Sequence, residues 1–181
     1  MRLITTNDNI RALQFYQKRG FCFTKLYVNV MDDVVSIVKV DENKEQYMNL
    51  LLEADPDEDV VKKYIQEGEM YVVKVNGKAL AEIFITKVDE ETCELKNIAT
   101  LPTARGKGLA KSLIEYVFNE YKGKYKKMIV GTTDNMLPFY VLLGFNKYYK
   151  TVKNFFIDNY NKEIWDGNLQ CMDMYYYYKE L

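Results

Sequence analysis

Between a strand-like run, Cys93 to Leu101, and an amphipathic helix that starts near Lys107, the chain carries Thr103-Ala104-Arg105-Gly106-Lys107-Gly108-Leu109-Ala110-Lys111-Ser112. No other segment constrains the fold as much. A strand that passes through a short glycine-punctuated loop straight into a helix leaves the first backbone N–H groups of that helix without intrahelical partners. They lie at the positive end of the helix dipole, so the junction is a seat for phosphate. Taken alone, a six-residue pattern with two small positions also reads as a surface turn before a helix.

The flanking sequence supplies the rest of the architecture. Leu109/Ala110, Leu113/Ile114, Val117/Phe118 and Tyr121 recur at helical spacing from Lys107 to Tyr121, and Gly123 stands where a C-terminal cap belongs. Glu69 to Val75 and Lys78 to Thr86 are strand-like, and Asn76-Gly77 between them suits a two-residue hairpin turn. Asp55-Pro56-Asp57-Glu58 reads as a helix start with Asp55 as cap and Pro56 at the first position, the helix running to Glu67 and stopping at Gly68. A preceding helix is expected over Lys44 to Ala54. Lys127 to Thr132 reads as a short buried strand, followed by a helix over Asn135 to Leu143 and strands near Phe145–Val152 and Cys171–Tyr178. Strands linked by helices alternate with hairpins, which predicts an α/β fold around a mixed sheet. Within the last strand, Tyr175 and Tyr177 should face one way and Tyr176 and Tyr178 the other, one face buried and one partly wet.

Composition removes several function classes. The 25 basic and 26 acidic residues leave a net charge of −1, against a protein whose main task is gripping nucleic acid or an anionic membrane. No run approaches the ~18 apolar residues of a membrane span, and Met1 to Thr6 do not read as a signal peptide. Cys22, Cys93 and Cys171 are few and widely spaced, which suits a reducing cytoplasm and suggests no zinc site. With no histidine in the chain, acid–base chemistry falls to carboxylates, tyrosines or water.

Downstream of the loop come Thr132-Thr133-Asp134-Asn135 and then Phe139-Tyr140-Val141-Leu142-Leu143-Gly144-Phe145. Arg105-x-x-Gly108-x-Ala110, a strand, Asn135 and Phe-Tyr-x-x-x-Gly-Phe in this order resemble the GNAT N-acetyltransferases, whose pyrophosphate loop reads Gln/Arg-x-x-Gly-x-Gly/Ala. The resemblance covers roughly 34–181, and the tail from Asn154 to Met174 is similar to a bacterial, YvbK-like branch of that family. It implies a mostly antiparallel mixed sheet flanked by helices, with acetyl-CoA as co-substrate and no metal. It further implies that the backbone of Ile98, Ala99 and Thr100 pairs with the pantetheine arm, and that amides of Arg105, Gly106, Lys107, Gly108, Leu109 and Ala110 hold the pyrophosphate. Asn135 would contact the cofactor arm, and Tyr140 would act as general acid to the departing thiolate. Arg105 in place of the commoner Gln adds charge near the phosphates and leaves the backbone logic intact.

The acceptor poses the harder problem. Presenting a lysine-like amine uncharged at pH 7 costs roughly 4.6 kcal/mol, whereas a thiolate of pKa about 8.5 is already a tolerable leaving group. Glu94 is the first candidate for the base, directly or through water, and reads equally as a solvent-facing strand acid beside Lys96. Asp134 is the second candidate; its alternative is a helix N-cap. For Tyr140 the alternative is a core aromatic. The resemblance implies direct attack on the thioester in a ternary complex, since a ping-pong route needs a placed nucleophile and no cysteine has a visible activating partner. The expected acceptor is a primary amine of a small molecule or peptide, and a non-catalytic acyl-CoA-binding or interaction module is the alternative function.

The N-terminus repeats the later signature. Ile4-Thr5-Thr6-Asn7-Asp8-Asn9 precedes Phe15-Tyr16-Gln17-Lys18-Arg19-Gly20-Phe21 with the same Phe-Tyr-x-x-x-Gly-Phe spacing and no phosphate loop before it. Residues 1–33 are therefore expected to form a partial helix–strand extension and residues 34–181 the acetyltransferase domain. Tyr16 lacks the neighbours a catalytic role needs. A lone helix and strand must pack on something, an open sheet edge of its own domain or of a second subunit, and a homodimer is slightly favoured over a monomer.

Overall fold

The computed structural model describes residues 28–30 and 33–181; the N-terminal signature, Ile4 to Phe21, lies outside them. The strands are β1 (Val28–Val30), β2 (Asp33–Val40), β3 (Gly68–Val75), β4 (Lys78–Lys87), β5 (Thr92–Thr100), β6 (Lys127–Thr132), β7 (Lys147–Val152), β8 (Trp165–Asp166), β9 (Leu169–Gln170) and β10 (Met174–Glu180). The helices are α1 (Met48–Leu51), α2 (Glu58–Tyr64), α3 (Leu109–Tyr121), α4 (Leu137–Leu142) and α5 (Phe155–Asn159). Eight strands form one sheet in the order β1-β2-β3-β4-β5-β6-β10-β7, while β8 and β9 make a separate hairpin. All neighbours in the large sheet are antiparallel except β5 and β6. This is the mixed, mostly antiparallel α/β sheet expected from the sequence.

Alternation along the strands supplies two cores. One face of β3, β4, β5 and β6 sends Tyr71, Ile83, Ile85, Leu95 and Val130 against Leu113, Ile114 and Val117 of α3. The other face sends Met70, Val72 and Phe84 against Leu51 near the end of α1 and against Val61 and Tyr64 of α2. Asn76 and Gly77 take φ of 51° and 80°, closing the β3–β4 hairpin as the Asn-Gly pair requires.

Two helix readings need correction. The expected helix over 44–54 is a single 3-10 turn, Lys44–Tyr47, running into the four residues of α1. The cap of α2 is Asp57, not Asp55: its side chain accepts the Asp59 N–H at 3.0 Å, and the helix begins after it at Glu58. Pro56 therefore lies outside the helix, and Asp55 lies before it in the α1–α2 connection. The tyrosine run keeps its alternation: β10 stays in unbroken register with β6 from Tyr175 to Glu180, Tyr176 is buried, and Tyr177 on the other face packs partly against the α3 core, the register shift beside it leaving Tyr149 of β7 as the extra residue. Among the described residues no helix is long and apolar enough to cross a membrane.

Candidate active site

The site begins with a defect in the sheet. On β5, Asn97 pairs with Phe84 and Leu95 with Ile85, so Lys96 is an extra residue with no partner on β4. Such a bulge bends its strand. The parallel ladder to β6 stops at Leu95–Val130, immediately before it. From Lys96 to Thr100, β5 therefore has a strand on one side only, and a cleft of about 750 Å³ opens between it and β6.

At one end of the cleft stands the loop. Gly106 and Gly108 both have φ of 77°, and Gly108 serves as N-cap of α3. The first intrahelical bond runs from the Ser112 N–H to the Gly108 carbonyl, so the amides of Leu109, Ala110 and Lys111 have no intrahelical partner. The amides of Gly106, Lys107 and Gly108 likewise donate to no backbone carbonyl among the described residues. A Cβ built on Gly106 or Gly108 would meet nothing within 4 Å, so the space over these amides is open. Arg105 turns away: Nε donates to the Thr100 carbonyl at 3.2 Å and Nη2 reaches Glu53 Oε2 at 2.9 Å. Ile98, Ala99 and Thr100 lie along the open stretch of β5, where the Thr100 Oγ1 is buried without a partner. An unpaired strand edge, leading to a run of unpartnered amides at a helix N-terminus, fits an amide-bearing arm that ends in a pyrophosphate.

Tyr140 faces this edge from α4. Its ring is held edge-on by Phe145 at 6.0 Å and Phe139 at 5.2 Å, and it lines the cleft. Burial, with a smaller push from the charge of Glu82, raises the pKa of its phenol, which stays protonated. Asn135 is placed elsewhere. Its Nδ2 donates to the Asp166 carbonyl at 3.0 Å, beside Thr133 Oγ1 on the Asp166 carboxylate at 2.7 Å, and it borders a shallow recess rather than the cleft. Glu94 lies just before the bulge, with Lys96 Nζ 3.3 Å from its Oε1; Lys96, not Glu94, lines the cleft wall.

The opposite end of the cleft was not anticipated. Asp55 and Pro56 enter from the α1–α2 connection, and Phe156, Tyr160 and Trp165 from the segment between β7 and β10. Asn97 is buried in the floor: Nδ2 donates to the Leu51 carbonyl at 3.1 Å and the Tyr64 hydroxyl at 2.8 Å, while Oδ1 has no partner. Glu82 lies on β4 opposite Ala99, fully buried, with neither oxygen hydrogen-bonded by distance and angle. Burial pushes its pKa up to about 8, the nearby Ala99 amide only partly opposing this. The sequence signals were present but unspecific: a charged residue inside an apolar strand at Glu82, and aromatic residues clustered in the tail.

Residues 66–147 match a family model described as an acetyltransferase (GNAT) domain. The uncharacterized N-acetyltransferase YvbK of Bacillus subtilis (strain 168) is 28% identical over 145 residues, 78% of this chain and 93% of YvbK. A GNAT family acetyltransferase from Elizabethkingia anophelis, solved with acetyl-CoA bound, is 32% identical with a TM-score of 0.76, over 81% of this chain and 98% of that one. A Bacillus subtilis acetyltransferase solved with CoA is 27% identical with a TM-score of 0.71, over 80% and 97%.

Proposed function

Because this chain belongs to the GNAT family of acetyltransferases and uses acetyl-CoA as co-substrate, we propose that its cleft moves the acetyl group directly to a primary amine within a ternary complex. The observation that carries this reading is the opening of β5 from β6 after the Lys96 bulge, with unpartnered loop amides at one end and Tyr140 across the gap. Acetyl-CoA supplies an activated thioester, and the chain's own groups bind, orient and manage protons around it.

In this reading the amides from Gly106 through Ala110 hold the pyrophosphate, that of Arg105 being bonded to the Pro102 carbonyl at 3.4 Å, and the edge of Ile98, Ala99 and Thr100 aligns the pantetheine arm. Tyr140 keeps its proton until a thiolate needs it. Glu94 is proposed as the base that takes the amine proton through water, because Lys96 stands between it and the cleft. Asn135 acts by fixing the β8–β9 hairpin through Asp166, a positioning role. A covalent route through cysteine finds no support among the described residues: burial pushes the Cys93 thiol up to about 12 and raises Cys171, so neither offers a thiolate near pH 7. Initial rates measured while acetyl-CoA and amine are both varied test the proposal. Intersecting double-reciprocal lines are expected; parallel lines, the mark of a covalent acyl-enzyme, would refute direct attack.

A further inference from the structure

The acceptor end of the cleft has its own chemistry, and three independent features of it converge. The first is charge. Asp55 is half-buried at the mouth, where its carboxylate receives the Asp57 N–H at 3.5 Å and lies beside Tyr160. Among the described residues no lysine or arginine lies within ion-pair distance of it. The two cations of the cleft are engaged elsewhere, Arg105 with Glu53 at 2.9 Å and Lys96 with Glu94 at 3.3 Å.

The second feature is an orphaned acceptor. Both donations from Asn97 Nδ2 fix the orientation of its amide, so the atom left without a partner is Oδ1. Asn97 is only 4% exposed and borders the cleft, where a buried carbonyl oxygen without a donor is unfavourable. A ligand that brings N–H groups satisfies it. The third feature is the wall. Phe156 and Tyr160 lie with ring centroids 5.5 Å apart, and Trp165, 55% exposed, stands at the rim with its indole N–H on Glu163. Aromatic faces suit both an apolar body and an ammonium group.

We propose that this end of the cleft is an acceptor subsite for a small primary amine carried on an aromatic or apolar body and lacking a carboxylate beside the amine, an arylalkylamine rather than a free amino acid. The inference rests on the acetyl-transfer reading above. The amine meets Asn97 Oδ1 and Asp55, and the body stacks along Phe156, Tyr160 and Trp165. An α-carboxylate is disfavoured because it would be drawn towards Asp55 while both cations lining the cleft are paired and Lys162, outside the lining, donates to the Pro56 carbonyl at 3.5 Å; like charges brought together in a partly dry site repel strongly.

Phenethylamine and phenylalanine differ only in that carboxylate and make the test. At saturating acetyl-CoA, thiol release should show kcat/KM at least about 10²-fold higher for phenethylamine. Asp55→Asn should shrink that ratio by about 10-fold or more, because the repulsion it supplies is gone. Trp165→Ala, at an exposed position that the fold does not need, should raise KM for phenethylamine more than for ethylamine. Equal turnover of phenylalanine and phenethylamine, or a ratio unmoved by Asp55→Asn in a protein that melts like the wild type, would overturn the acceptor class. Thiol release with none of these amines, nor with any of a broader panel of amino acids and peptides, would instead overturn the acetyl-transfer reading itself.

Discussion

Tyr140 and Gly108 carry the proposed chemistry at the scale of single residues. The Tyr140 ring is fixed by two aromatic neighbours and its hydroxyl bonds to no described residue, so the phenol is positioned without being committed. Burial raises its pKa, which makes it a proton donor over the whole accessible range. Tyr140→Phe is expected to lower turnover by about 10²-fold with little change in acetyl-CoA affinity, measured by steady-state kinetics beside a binding titration. An unchanged turnover would return Tyr140 to a packing role. Glu94→Gln should move the rate–pH profile if Glu94 takes the amine proton; an unaltered profile would pass that role to water or Asp134. The loop glycines and the helix of Tyr140 were legible in the sequence because each sits in a local pattern of fixed spacing, although the patterns also allowed a surface turn and a core aromatic. Asp55 and Asn97 were not, because their roles depend on partners brought from other elements. Asp55 faces Tyr160, over a hundred positions away in the chain, and Asn97 is oriented by α1 and α2.

Among the elements, β4 and β5 matter most, since one holds a buried carboxyl and the other a bulge. Glu82 on β4 has a folded pKa of about 8 against 4.5 for the free group. Folded protein therefore retains a proton that unfolded chain releases, and stability should fall as pH rises from about 4.5 through about 8. Glu82→Gln removes the titration. Its melting curve should coincide with wild type near pH 4 and gain on it with pH, reaching an advantage on the order of 4 kcal/mol above pH 8. A difference that stays constant with pH would show that Glu82 is ionised in the fold or hydrated. At the start of α2, Asp57→Ala should cost about 1 kcal/mol through the lost bond to Asp59, whereas the sequence had placed that cap at Asp55. Strands and the long helix were readable from periodicity and the Asn-Gly turn. The bulge at Lys96 was not, because one extra residue in a strand leaves no mark in a hydrophobic pattern; it exists only relative to the partner strand. The short α5 and the β8–β9 hairpin escaped for a related reason, being too small to show a period.

Among the described residues the sheet ends at β1 on one side and β7 on the other, with opposite prospects. The β7 edge carries Lys147 and Lys150 and exposed Tyr148, a charged edge that discourages pairing. At the other end β1 pairs with β2 in the register Val28 to Val35, so chain preceding β2 is joined to the sheet. On that basis we propose that residues 1–33 extend the sheet of residues 34–181; the homodimer is a separate proposal that this pairing does not bear on. Removing residues 1–33 should lower the melting temperature or change the sedimentation coefficient while CoA still binds. A truncated protein identical to the full chain in both would mean that the segment contributes nothing. The central claim, that the amides at the head of α3 seat the co-substrate against the open edge of β5, is tested most directly by calorimetric titration of CoA into wild type and Gly108→Val. Gly108 has φ of 77° and open space at its Cβ position, so a valine there strains the loop and intrudes on the seat without meeting the core. Wild type should bind CoA, and the variant should show no measurable binding while keeping a cooperative melt. Equal affinity in the two proteins would place the pyrophosphate elsewhere and contradict the account.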